Sequence, residues 1–350
     1  MIQNLQSLRF FFIMLVVMSH IIGKSFDFGG ECGVSFFFVL SGFVLSYAYG
    51  QKIREEQFQL KPFLKRQLLK FYPLHLLTFL IMLALDARLG QYYDFPKLVA
   101  NALLLQSWVP SDDFYFVANA PSWFLSDLLF FYIVFPWLFL WLINIRELKL
   151  WLTMAVVVAL YTCLAVAIPQ EMVNPVLYIS PLTRILDFAL GILLFRYCSS
   201  ASGQQFTTWL KRQSEAVVSC LEVLMFLWVV VSFFIYEHSP ASFRCASLFW
   251  CVSPVFLLVY IKSDKLEGLV TSFLHHPFVL WLGSISLEIY LTHFVTMRIL
   301  YGMMNTIGIP DEERLNLIVV AITIVLIIVV SFIVKRFYVD KIYGALIKYV

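Results

Sequence analysis

Ten apolar stretches, each close to the ~20 residues that a helix needs to cross a hydrocarbon core, recur along this 350-residue chain. They fall at about 5–22, 33–49, 69–87, 122–144, 150–168, 176–197, 217–236, 243–261, 278–300 and 315–335, bounded by the length a span requires. Composition rules out a soluble fold: 61% of the residues are hydrophobic and 13% charged, against roughly 25% charged in soluble globular proteins. The expected fold is an all-α membrane protein of about ten transmembrane helices, with residues 1–350 forming one integral-membrane domain. The first run reads as a permanent helix, because Arg9 lies in its first third and no small-residue cleavage site follows it. With the amino terminus in the cytoplasm, about eighteen of the 25 Lys and Arg fall on the inner side and about six outside. Both termini are therefore expected to be cytoplasmic.

Ionisable side chains inside such runs are expensive and by default mark working sites. The first helix carries Arg9 and His20, eleven residues apart, so both point from nearly one face, roughly 16 Å apart along the axis. Two readings stand for the pair: a functional one, and one in which Arg9 snorkels to the interface and His20 packs between helices. The inner segment 51–70 is the most basic, with Lys52, Arg54, Lys61, Lys65, Arg66 and Lys70. These charges either set topology or bind a phosphorylated cytosolic ligand. The long connection from Arg88 to Pro121 contains LVANALLLQSWV, too short to span and expected to be an interfacial or re-entrant helix. Ser122 is expected to cap the fourth helix, with Ser126 and Asp127 near its outer end.

Arg184 and Asp187, at i and i+3 in the sixth helix, form either an intrahelical ion pair or part of a site. The ninth run holds Glu288, Tyr290, Thr292 and His293, whereas His275 and His276 fall in the preceding inner loop and have no special claim. Six cysteines, Cys32, Cys163, Cys198, Cys220, Cys245 and Cys251, lack CxxC or metal-like spacing, so neither a disulfide framework nor a metal is indicated. A phosphate loop and a GxSxG elbow are absent. Paired half-length or broken helices are not apparent in the hydropathy pattern, which weighs against a secondary transporter.

Taken in order, these segments resemble the membrane acyltransferase-3 family, in its stand-alone form without a fused hydrolase-like domain. Its bacterial members transfer acetyl or related groups from acyl-CoA to sugars of surface and exported glycans. The resemblance runs through Arg9-x10-His20, GVSFFFVLSGFVLSY (Gly33 to Tyr47) and KRQLLKFYPL (Lys65 to Leu74). It continues through SWFLSDLLFFYIVFP (Ser122 to Pro136), Arg184-x-x-x-Phe188-x-x-Gly191 and Ser286-x-x-x-Tyr290-Leu291-x-His293. Two departures matter. Where the family often has Arg-x-x-Arg before the third helix, this chain has Gln67 and Lys70, with Arg66 displaced by one. Where many relatives carry Glu two residues after the Ser of Trp-x-Leu-Ser, it has Leu128, with Asp127 beside it.

The resemblance implies an O-acyltransferase of the bacterial inner membrane whose partners are acyl-CoA, a glycan or sugar-lipid acceptor and membrane lipids, with no nucleic acid and no metal. A thioester attacked by a hydroxyl needs a base, oxyanion stabilisation, and cations for the coenzyme phosphates. His20 is the expected base, since imidazole titrates near neutral pH. Arg9, Arg66, Lys70 and Lys65 suit the phosphates. Ser126, Asp127, Tyr290 and His293 are acceptor-side candidates. The competing reading, from another class, is a transporter or flippase for an acylated sugar lipid, in which buried charges serve coupling.

Overall fold

The computed structural model describes residues 3–23, 29–240, 242 and 268–349. The expected span at 243–261, with Cys245 and Cys251, lies outside the described residues. Among those described there is helix and turn but no strand. Seven helices are long and apolar enough to cross a membrane, and up to nine if each of two bent pairs counts as one span. Long apolar runs fold this way because inside hydrocarbon only a helix satisfies every backbone N–H and C=O within its own segment. The chain is a multi-pass, all-α membrane protein.

The elements in order are α1 (Gln3–Ile22), α2 (Gly30–Arg54), α3 (Leu60–Arg88), α4 (Phe95–Ala102) and α5 (Asp112–Tyr115), then α6 (Trp123–Ile143) and α7 (Glu147–Ala167). After a π turn, Val173–Tyr178, follow α8 (Pro181–Cys198), α9 (Ala201–Leu210) and α10 (Glu215–Glu237). The last are α11 (Leu269–Leu274), α12 (Pro277–Ser284), α13 (Ser286–Thr306), α14 (Leu317–Val334) and α15 (Asp340–Leu346). Contacts divide them into two compact units. Met1–Phe12, Glu31–Phe58 and Ile133–Ser284 form the first; Ile13–Gly30, Gln59–Tyr132 and Ile285–Val350 form the second.

In the first unit α2 and α8 meet backbone to backbone. A Cβ at Gly42 would overlap the Phe188 carbonyl oxygen, and one at Gly191 the Val39 carbonyl oxygen. Small residues admit this approach, which is how apolar helices gain contact where no hydrophobic drive exists between them. The closeness leaves Arg184 and Asp187 sealed, 0% and 1% exposed, as an ion pair at 3.2 Å. Arg184 Nη2 also donates to Ser35 Oγ at 3.1 Å, and its guanidinium lies 5.1 Å from the Phe38 ring centre. Glu222, buried on α10, accepts from the backbone N–H of Val270 at 2.9 Å and of Thr271 at 3.2 Å. A buried carboxylate is thereby matched to the open amino terminus of α11.

In the second unit α3, α13 and the connection between α3 and α6 share a core of Phe79, Met82, Val117, Ala118 and Val295. Arg298 of α13 pairs with buried Asp86 of α3 at 2.6 Å, and the Tyr93 hydroxyl donates to the other carboxylate oxygen at 2.8 Å. Burial and that carboxylate together raise the Tyr93 phenol above its ordinary range.

Several expectations are corrected. The basic segment 51–70 is mostly helical: α2 runs on to Arg54 and α3 starts at Leu60, so Lys61 to Lys70 ride the first turns of α3. LVANALLLQSWV is not one helix. α4 ends at Ala102, Leu104 takes a left-handed φ of 57°, and a 3-10 turn, Gln106–Trp108, follows. The amides of Leu105 and Leu104 bond back to Ala100 O and Asn101 O at 2.7 and 3.1 Å, the Schellman pattern that ends helices.

Two spans are broken, which overturns the expectation of unbroken helices and with it that objection to a transporter. Between Tyr178 and α8 the path bends by 48°. There Pro181 occupies the first helical position while Ser180, held extended, accepts from Leu182 N at 3.3 Å. The ninth run breaks at Ile285, between α12 and α13. The Ser284 hydroxyl donates to Trp281 O at 2.7 Å, a side-chain bond that competes with helix continuation.

Candidate active site

The second unit brings His20 and His293 together from sequence positions 273 apart. His20 lies in the last turn of α1, where its Nδ1 is 2.9 Å from Val16 O. His293 sits near the middle of α13, with Nδ1 2.7 Å from Tyr290 O and 3.2 Å from Ile289 O. The His293 Nε2 and His20 Nδ1 are 3.2 Å apart, with ring centres at 5.0 Å. His293 is sealed, at 0% exposure. His20 is exposed, although the α1 positions one turn earlier, Val16 and Val17, are buried. An exposed histidine thus stands against a sealed one.

The other acceptor-side candidates hold the surroundings in place. The Tyr290 hydroxyl donates to Pro121 O at 2.5 Å, and its ring lies 5.1 Å from Phe124. Tyr290 thus fixes the entry to α6. Ser126 is buried and accepts from the Ser107 hydroxyl at 2.6 Å. Asp127 is fully buried in the second turn of α6. Ser122, expected as a cap, closes the 3-10 turn Ala120–Ser122, and its hydroxyl accepts from Gln106 Nε2 at 3.3 Å. Glu288 is ion-paired with Lys335 at 3.3 Å.

Lys65, Arg66 and Lys70 are exposed on α3 in the same unit, and Lys70 Nζ donates to Gln67 Oε1 at 2.9 Å. At 1.5 Å per residue, Lys70 and Arg66 lie roughly 12 and 18 Å along α3 from Thr78. Thr78 is one of the points at which α3 joins the α13 region. There Asn119 Nδ2 donates both to Thr78 Oγ1 at 3.0 Å and to Leu291 O at 3.1 Å. Arg9 is half-buried on α1, three turns before His20, and belongs to the first unit. The structure therefore gathers His20, His293 and the basic turns of α3 in one unit, and Arg9 falls in the other.

Asn119, Asn101, Gln106 and Ser107, all buried, were missed in the sequence. Amides and hydroxyls in a connection read as ordinary turn chemistry, and no spacing distinguishes them. Among the described residues no group of three or more His, Cys, Asp or Glu is placed to hold a metal.

A polytopic helical protein with an open imidazole, a sealed partner and a cationic helix end fits a membrane-embedded group-transfer enzyme. A family model described as an acyltransferase domain matches residues 2–336, and the chain belongs to that family, acyltransferase-3. A relative, the acyltransferase MdmB of Streptomyces mycarofaciens, is 28% identical over 334 residues, covering 85% of this chain and 79% of the relative. No solved structure matches. The protein is a membrane acyltransferase.

Proposed function

We propose that the protein is an O-acyltransferase that moves an acyl group, acetyl in the simplest case, from cytoplasmic acyl-CoA to a hydroxyl of a cell-surface or exported glycan. In this reading it lies in the bacterial inner membrane with both termini in the cytoplasm. The observation that carries the proposal is the exposed His20, seated on sealed His293 at 3.2 Å, in a chain of an acyltransferase family. The His20 imidazole takes the proton of the acceptor hydroxyl as that oxygen attacks the thioester carbonyl carbon. The carbon–sulfur bond breaks, and the departing thiolate recovers the proton from His20. Ester and free thiol leave, and the imidazole is neutral again. Base catalysis of this kind contributes roughly 10² to 10⁴ in rate. Arg66, Lys70 and Lys65 hold the coenzyme phosphates.

The test is transfer of label from [14C]acetyl-CoA in purified protein and in membranes. His20→Ala should abolish transfer, by at least about 100-fold, while the protein still inserts in the membrane. Retained transfer in that variant would overturn the role of His20. Acyl label on purified polysaccharide, lost when the gene is deleted, identifies the acceptor class. The two broken spans favour one rival, a transporter or flippase for an acylated sugar lipid. Solute uptake into proteoliposomes with no label transfer would decide for it.

A further inference from the structure

A base of this kind needs a partner that fixes which ring nitrogen is free. The proton positions follow from the carbonyls around the pair. A carbonyl oxygen only accepts, so His293 Nδ1, 2.7 Å from Tyr290 O, carries the hydrogen. A neutral ring has one N–H, so His293 Nε2 is a lone pair. That lone pair faces His20 Nδ1 at 3.2 Å, and His20 Nδ1 also faces Val16 O at 2.9 Å. His20 Nδ1 therefore carries a hydrogen shared between Val16 O and His293 Nε2. Any other neutral arrangement sets a ring lone pair against a carbonyl oxygen. What remains is His20 Nε2, unprotonated, on the imidazole that is exposed.

We infer that His293 is a positioning residue: its Nε2 accepts the His20 Nδ1 hydrogen, so that His20 Nε2 is the atom that takes the acceptor's proton. It fills, as a neutral group, the place that a carboxylate fills behind histidine in hydrolase triads. A neutral acceptor suits a sealed site, because burying an imidazole costs far less than burying a carboxylate without a counter-charge. When His20 becomes an imidazolium, its Nδ1–H donates more strongly to the same lone pair, and the sealed position keeps water from competing for it. His293 is therefore moved from the acceptor side to the far edge of the His20 ring. This inference rests on the reading of His20 as base, and its test separates the two.

The experiment compares His293→Phe, which keeps a ring and removes the lone pair, with His293→Gln, whose side-chain oxygen reaches about where Nε2 stands. Transfer of label from acetyl-CoA gives kcat and KM, and thermal unfolding in detergent monitors the fold. His293→Phe should lower kcat about 100-fold with the acetyl-CoA KM within twofold, and His293→Gln should restore at least a tenth of wild-type kcat. His20→Ala/His293→Phe should be no slower than His20→Ala alone, since two residues acting as a unit are not additive.

Diethyl pyrocarbonate labelling of His20, read by peptide mass spectrometry, provides a measurement independent of turnover. It should slow severalfold in whichever folded His293 variant lacks the acceptor, and stay near wild type in His293→Gln. Equal inactivity of the Phe and Gln variants with unchanged His20 labelling, or His293→Phe within threefold of wild type, would overturn the inference. In both outcomes an inactive His20→Ala would leave the base reading standing. An active His20→Ala would remove the base reading itself, whatever the His293 variants do.

Discussion

Each unit buries a polar pair among apolar helices, and the two pairs differ in one respect. Arg184 and Asp187 of the first unit are both sealed, and Ser35 and the rings of Phe38 and Tyr178 lie against the guanidinium. His20 and His293 of the second unit are sealed on one side only. A closed pair spends its hydrogen-bonding capacity inward and so holds helices together, at a desolvation cost that its own attraction largely offsets. In the proposed mechanism, the half-open pair keeps one lone pair in reserve for a reactant. The two pairs thus differ in the exposure of one member.

The comparison can be broken in three places, beyond the loss of turnover expected of His20→Ala. Asp187→Asn leaves the Arg184 charge without its counter-ion, and stability should fall by about 3 kcal/mol, read as a lower unfolding temperature in detergent. Turnover per folded molecule should not change. A variant as stable as wild type, or a stable one with lost turnover, would make the closed pair a site and erase the distinction. Next, Arg66→Gln/Lys70→Gln should raise the acetyl-CoA KM about tenfold with kcat within twofold, because exposed cations contribute binding and not chemistry. An unchanged KM would detach α3 from donor binding. The smallest effect is expected at Ser180, whose hydroxyl caps α8: Ser180→Ala should cost ~1 kcal/mol of stability and leave kinetics alone. Any kinetic change there would couple the first unit to turnover.

The spans were legible in the sequence because hydropathy reports length, and length is what hydrocarbon demands. Their breaks were not, since a window averaged over about twenty residues passes smoothly across Ile285 and across Ser180. The Arg184–Asp187 pair was visible for the opposite reason, being local at i and i+3. His20 stood out as an imidazole in an apolar run and His293 as another, but nothing in their order says that one ring seats the other. A contact over 273 positions exists only after α1 and α13 have packed. The buried amides Asn101, Asn119 and Gln106 were hidden by their residue type, which is as common in solvent-facing turns as in buried networks.

Those amides tie the opening of the connection between α3 and α6 to that of the helices beside it. Asn101 Nδ2 donates to Val117 O, Asn119 ties Thr78 to Leu291, and Gln106 and Ser107 bind Ser122 and Ser126. Lifting this segment means releasing all of these in one event, so its openings belong with subglobal unfolding and not with loop fluctuation. In deuterated buffer its backbone hydrogens should persist alongside those of α3 and α13.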